Sequence, residues 1–155
     1  MQIGIPAEII AGETRVAATP DTVKKYIAAG YTVVVQAGAG VNASVPDASF
    51  SAVGASIVHD AAAAYASDII LKVQAPTAEE IALIKDGATV VAMFDPYRNP
   101  NLAAFAAKNL QCFALELLPR TLSRAQNMDV LSSQSNLAGY KSVLLAANEY
   151  QRPFP

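Results

Sequence analysis

The densest group of side chains that could do chemistry lies between Arg120 and Asn136. Arginine, glutamine, aspartate and serine at close spacing can form a hydrogen-bond network that supports itself. Such a network can still offer a side-chain amide, which donates and accepts, to a ligand. Gln126, Asp129 and Ser132 are the residues of this type near its centre. The same composition is also typical of a solvated loop followed by a helix cap at Ser135, and the residues alone leave both interpretations open.

Two cations are placed where a ligand could meet them. Lys72 interrupts the apolar, strand-like run Asp68–Val73, and an unpaired lysine is costly to bury. At the carboxyl end of a parallel strand it would face the crevice in which α/β proteins bind ligands. Arg15, in the loop after the first strand, would reach the same edge. The pair could form a pocket for an anion or a carbonyl group, or the two could extend to the surface and make ion pairs there.

A glycine-rich segment follows the second strand-like run. Gly38–Ala43 (GAGVNA) matches the G-x-G-x-x-G/A spacing of dinucleotide-binding loops, and Asp60 lies at about the distance expected of a ribose ligand. That chemistry requires a helix that begins inside the motif, so that its amides face the phosphates. Pro46 disfavours such a helix. We therefore predict a tight glycine loop rather than a dinucleotide fingerprint.

The single histidine and the single cysteine carry less. His59 has no second imidazole or cysteine cluster to join, so the sequence predicts no metal site and a histidine at a surface or junction. Cys112 lies in an apolar run and is predicted to be a buried, inert thiol. One cysteine cannot form an internal disulfide, which fits a reducing compartment.

The elements that must position these residues alternate between apolar runs and segments of helical period, a pattern that predicts βαβ units. Strands are predicted at Gln2–Pro6, Tyr31–Val35, Ser56–Val58, Asp68–Val73, Ala88–Phe94 and Gln111–Leu115. Helix starts are predicted at Thr19-Pro20-Asp21, Asp47, Asp60, Thr77 and Asn99-Pro100. Pro119–Gln134 is polar and irregular, and a further helix is predicted over Ser135–Tyr150. The expected fold is α/β: a Rossmann-like or flavodoxin-like three-layer sandwich with a mostly parallel sheet and a C-terminal linker helix.

Composition excludes several classes of function. The 155 residues suit one domain, with 53% hydrophobic and 15% charged residues. The net charge is −2 and no basic stripe is present, which argues against nucleic-acid binding. No run approaches the ~18 apolar residues of a membrane span, and the amino terminus lacks the pattern of a signal peptide.

Four segments together resemble a known family. They are Arg15–Pro20 (RVAATP), Gly38–Gly40, Ile70–Pro76 (ILKVQAP) and Ser123–Tyr140 (SRAQNMDVLSSQSNLAGY). In this order they look like the N-terminal domain shared by alanine dehydrogenases and NAD(P) transhydrogenases, over nearly the whole chain. The last segment is specific and favours the α subunit of the transhydrogenase branch.

The resemblance implies a division of the chain. Residues 1–118 would be the α/β domain, 119–134 a mobile loop that contacts nicotinamide, and 135–155 a linker helix towards a second domain. NAD(H) would bind between the two domains, and the glycine fingerprint would belong to the second. Gln126, Asp129 and Arg120 would be the catalytic residues, and these three with Ser132 would contact the cofactor. Arg124 remains an alternative to Arg120.

The resemblance also implies an activity: hydride transfer from NADH to NADP+ on a partner subunit, coupled to proton translocation through a membrane component. The subunit would be a homodimer, cytoplasmic and peripheral to that membrane complex. In the amino-acid dehydrogenase branch an arginine and a lysine hold the substrate, and Arg15 and Lys72 match them. Phe94-Asp95-Pro96-Tyr97 stands where that branch has its acid/base histidine. An alanine dehydrogenase-like enzyme and a truncated, non-catalytic docking module remain as alternatives.

Overall fold

The computed structural model describes residues 1–153, which form two compact units, Met1–Ala114 and a second that starts at Leu115. The last two residues of the predicted linker segment, Phe154 and Pro155, lie outside the described residues.

The first unit is built on a six-stranded sheet in which every pairing is parallel. Its order is β3-β2-β1-β4-β5-β6. The strands are β1 Gln2–Ile5, β2 Thr32–Gln36, β3 Ser56–Val58, β4 Ile69–Gln74, β5 Thr89–Met93 and β6 Gln111–Ala114. This is the strand order of doubly wound dinucleotide folds, and the predicted α/β class with a parallel sheet is confirmed.

Five helices connect the strands: α1 Pro20–Ala28, α2 Asp47–Ala52, α3 Ala61–Tyr65, α4 Ala78–Leu83 and α5 Leu102–Ala107. Their starts follow from local chemistry. Thr19 caps α1 by accepting the Thr22 amide, and Thr77 forms a reciprocal capping box with Glu80 at α4. Asp60 accepts the Ala62 amide at 3.0 Å and caps α3.

The core of the first unit consists of two clusters of buried apolar side chains. One contains Ile3, Ile5, Val23, Val33, Val35 and Phe50, among others. The second contains Tyr65, Ile70, Ile81, Ile84, Val90, Phe94 and Phe105, among others. Phe94 and Phe105 meet edge to face with ring centroids 5.3 Å apart, a geometry that contributes about 1 kcal/mol beyond burial.

One sequence prediction about this unit is wrong. Cys112 is exposed, together with Gln111 and Phe113 on the same strand. β6 is an edge strand and is paired on one side alone, to β5. The apolar composition of the run predicted burial, but composition does not tell a central strand from an edge strand.

The second unit contains a short helix, α6 (Ser123–Gln126), and a 20-residue helix, α7 (Val130–Glu149). The predicted C-terminal helix is present, but it begins at Val130 rather than at Ser135, and its cap is Asp129. The predicted irregular segment therefore includes α6 and the first residues of α7. No residue of α7 is buried. Among the described residues, no helix combines the length and apolarity needed to cross a membrane.

Candidate functional site

Three of the predicted loop residues lie together in the second unit. Arg120 donates from Nε to Asp129 Oδ2 at 3.1 Å and from Nη2 to Ser132 Oγ at 3.3 Å. Ser132 donates its hydroxyl to Asp129 Oδ2 at 2.7 Å and its backbone N–H to Asp129 Oδ1 at 3.1 Å. Asp129 thus joins the loop arginine to the first turn of α7, and both of its oxygens are engaged.

The electrostatics of this network keep Asp129 ionised. The hydroxyl and backbone N–H of Ser132, followed by the guanidinium of Arg120, lower the pKa of Asp129 to about 2. A carboxylate with that pKa accepts hydrogen bonds throughout the physiological range but has no proton to give. Asp129 can therefore hold its neighbours in place, and it cannot act as a general acid near neutral pH.

Gln126 differs from its three neighbours. Its backbone carbonyl accepts the Asp129 N–H at 3.4 Å, at the end of α6, but its side chain is exposed and makes no hydrogen bond to any other described residue. Ala125, directly before it, is buried and anchors the turn. The Gln126 amide is therefore held near the Arg120–Asp129–Ser132 network with its donors and acceptor available. Arg124 makes no ion pair with the described residues, so Arg120 is the arginine that the fold joins to Asp129.

Lys72, in the first unit, lies inside the protein. Its side chain is fully buried, and Nζ lies 2.6 Å from Glu80 Oε1 and 3.4 Å from Glu8 Oε2. The Tyr65 hydroxyl lies 3.3 Å from Nζ and donates to Glu80 Oε1 at 2.5 Å. The prediction that Lys72 extends to the surface is therefore wrong. Removing one partner of such a buried pair costs about 3–5 kcal/mol, so these contacts are structural requirements of the fold.

Burial also sets the state of Tyr65. Desolvation, reinforced by the hydrogen bond to Glu80, raises the pKa of the Tyr65 hydroxyl well above its usual range. Glu80 accepts the Thr77 N–H at 2.8 Å through its other oxygen. Tyr65 is thus a neutral donor and Glu80 a fully engaged acceptor, and neither faces solvent.

Arg15 is fixed by a neighbour on its own loop. Its Nε and Nη2 donate to the two oxygens of Glu13 at 2.7 and 2.6 Å. Arg15 lowers the pKa of Glu13 to about 2, and Gln74 Nε2 adds a hydrogen bond to the same carboxylate at 2.8 Å. The β4 residue that joins Arg15 at the sheet edge is therefore Gln74 and not Lys72. Sequence reasoning missed it, although Gln74 shares a strand face with Lys72 and lies nearer the carboxyl end.

The glycine segment forms a tight loop, as predicted. Gly38 has a φ of +79°, and a Cβ at Gly40 would lie 2.5 Å from the Val45 carbonyl oxygen. The Gly38 N–H donates to Asp47 Oδ1 at 2.9 Å, and α2 begins at Asp47, after Pro46. The chain's own carboxylate therefore occupies the amide that a phosphate would need. His59 is exposed, as predicted, and no group of three or more His, Cys, Asp or Glu residues in the described part of the chain could hold a metal ion.

The fold and these sites define the class. The chain is a doubly wound α/β domain of the Rossmann type, followed by a helical unit that carries an Arg–Asp–Ser network beside an available glutamine amide. It belongs to the family described as alanine dehydrogenase/PNT, N-terminal domain, whose model matches residues 4–138.

Relatives in both branches of that family are similar to the chain. The first of the separate polypeptides that make up NAD(P) transhydrogenase subunit alpha in Rhodospirillum rubrum is 47% identical over an alignment that covers 100% of this chain and 42% of the relative. The crystal structure of transhydrogenase from Sinorhizobium meliloti has a TM-score of 0.93 at 46% identity, over 100% of this chain and 46% of that one. An L-alanine dehydrogenase structure has a TM-score of 0.75 at 27% identity, over 81% of this chain and 34% of that one. The chain thus spans less than half the length of each of these relatives.

Proposed function

We propose that this chain is the N-terminal portion of the NAD(H)-binding α subunit of a proton-translocating NAD(P) transhydrogenase. The observation that carries the proposal is the Arg120–Asp129–Ser132 network with the Gln126 amide available beside it. The sequence similarity to the Rhodospirillum rubrum subunit over the whole chain supports it. In the complete complex, hydride would pass from NADH to NADP+ and this transfer would be coupled to proton translocation.

The network suits that chemistry. A nicotinamide supplies the hydride, and its transfer to a second nicotinamide needs two rings held at near-attack distance with no proton transfer. Arg120, Asp129 and Ser132 fix the loop, and Gln126 presents its amide to the cofactor's carboxamide or ribose. Asp129 remains a carboxylate and acts through the residues it holds. Gln126 is therefore a ligand-contacting residue, and the other three position it, although each could also meet the cofactor from the loop.

The proposal includes partners. A second domain of the same subunit would supply the phosphate-binding glycines, because the glycine loop of this chain is closed by Asp47. The subunit would act as a homodimer on the cytoplasmic side, peripheral to the membrane and NADP-binding subunits. No metal is required. The chain alone would not turn over.

An alanine dehydrogenase-like activity fits the residues less well. Deamination needs proton transfer, and the turn after β5 carries Asp95, paired with Arg98 at 3.0 Å, and no histidine. Lys72 is enclosed by carboxylates and cannot meet a substrate. These contacts favour the transhydrogenase branch.

Two assays on the full-length protein test the proposal. Reassembled with its membrane and NADP-binding partners, it should reduce an NADP+ analogue with NADH. Supplied with pyruvate and ammonium in place of the analogue, it should consume no NADH above background. Steady NADH consumption with pyruvate and ammonium would contradict the proposal.

A further inference from the structure

The first unit has its own ligand crevice at the point where the strand order reverses. β1 and β4 lie side by side, with Ile3 paired to Ile69 and Gly4 to Ile70, while the chain continues from them to opposite sides of the sheet. In doubly wound sheets the crevice outside the carboxyl ends of two such strands is where ligands bind. What fills that crevice here decides whether the first unit can bind an anion.

β4 leaves donors at this crevice. β1 ends at Ile5, whereas β4 continues to Gln74, and its register with β5 shifts between Leu71 and Gln74. The backbone N–H of Val73 donates to Glu8 Oε1 at 2.6 Å, and that of Gln74 donates to Glu8 Oε2 at 3.4 Å. Lys72 Nζ lies 3.4 Å from the same Oε2. Two amides and one ammonium therefore converge on a single carboxylate.

We infer that Val73 N–H, Gln74 N–H and the Lys72 ammonium form an oxyanion cradle that the chain fills with its own Glu8. Backbone amides and an ammonium around a carboxylate form the charge-assisted arrangement by which proteins hold anionic ligands. Glu8 comes from the loop that follows β1, and its side chain is only 2% exposed, so it occupies the cradle as a bound carboxylate would. The intact first unit then has no vacancy for a ligand's carboxylate or phosphate at its switch point.

The cradle would accept a small monocarboxylate once the Glu8 carboxylate is removed. Formate and acetate carry the same two-oxygen group as the glutamate side chain, and Glu8→Ala leaves space for them. This inference does not rest on the proposed function, because its test measures anion binding and not hydride transfer.

The experiment compares thermal unfolding of Glu8→Ala and the wild-type chain in sodium acetate, sodium formate and sodium chloride at equal ionic strength. The substitution should lower the midpoint by on the order of 10 °C, since it leaves a buried lysine with one carboxylate fewer. Acetate and formate should restore part of that loss with saturation in the millimolar range. Chloride should restore much less, and the wild-type midpoint should not respond to acetate.

Two further measurements make the result specific. Glu8→Gln fills the cradle with a neutral amide, so acetate should not raise its midpoint. In Glu8→Ala, acetate should shift the backbone amide NMR signals of Val73 and Gln74. Equal midpoints in acetate and chloride, or unmoved amide signals, would overturn the inference. If Glu8→Ala does not fold in chloride, recovery of folded protein on refolding in acetate supports the cradle, and equal failure in both salts overturns it.

Discussion

At the scale of single residues, the candidate site separates a residue that offers its side chain from residues that hold it. Arg120, Asp129 and Ser132 engage one another, whereas the Gln126 amide is available. A shorter amide at position 126 would keep the chemistry and shift its position. Reach is therefore the property to test.

Gln126→Asn shortens the side chain by one methylene. In the intact, reassembled enzyme it should slow hydride transfer by roughly 100-fold, as expected when a reacting geometry slips by about 1 Å. NADH affinity should change far less, because the dinucleotide is held mainly by the second domain. Stopped-flow rates and equilibrium binding on the same variant separate the two quantities. Asn127→Ala, an exposed amide one residue away, is the control and should leave the rate unchanged.

The outcome can contradict this assignment in two ways. A parallel fall in rate and affinity would make Gln126 an ordinary binding contact. No change in either would make the segment only a connection to α7.

At the scale of elements, the start of α7 is coupled to the site. Asp129 caps the helix through the Ser132 N–H and also holds Arg120, so the first turn of α7 and the orientation of the loop arginine depend on one carboxylate. The folded-state pKa of Asp129 is about 2, below its ordinary value of 3.8. A depressed pKa contributes stability that is present above the ordinary value and is lost as pH falls through the folded value.

Acidification should therefore release the first turn of α7. As pH falls from the ordinary pKa towards about 2, backbone chemical shifts of Val130–Ser133 should move towards random-coil values, while those near Leu144 stay helical. Asp129→Asn should remove most of this pH dependence, because asparagine also caps helices but does not titrate. Equal loss of helical shifts along the whole of α7 would show that the cap is not the titrating element.

At the scale of the whole molecule, the sequence predicts what local chemistry decides. The apolar runs predicted all six strands, and Thr19 and Thr77 marked helix starts, because capping acts between residues three apart. Lys72 shows the limit. Its partner Glu80 is eight residues away, but the Glu8 carboxylate reaches β4 from 65 residues away in the chain, and no periodicity encodes that contact. The true start of α7 was missed because Asp129 lies in a segment whose composition is also that of a loop.

The structure also predicts how the isolated chain behaves towards cofactor. The glycine loop leads into a short 3-10 turn, Val41–Ala43, and the Gly38 amide is taken by Asp47. NADH should therefore bind the chain with a dissociation constant of about a millimolar or weaker. Isothermal titration calorimetry measures this directly. Micromolar binding would mean that Gly38–Ala43 holds phosphate after all.

The reversal of strand order between β1 and β4 has a consequence for the order of folding during synthesis. β1, β2 and β3, with α1 and α2, are complete before β4 has been translated, so this half of the sheet can assemble while the rest of the chain is still being made. One side of β1 then stays open until Ile69 and Ile70 arrive to pair with it. The central strand of the finished sheet is thus an edge strand for some of its time on the ribosome. Glu8 reaches Val73 only after that edge has closed, so it seals the crevice as one of the last steps in building the first unit.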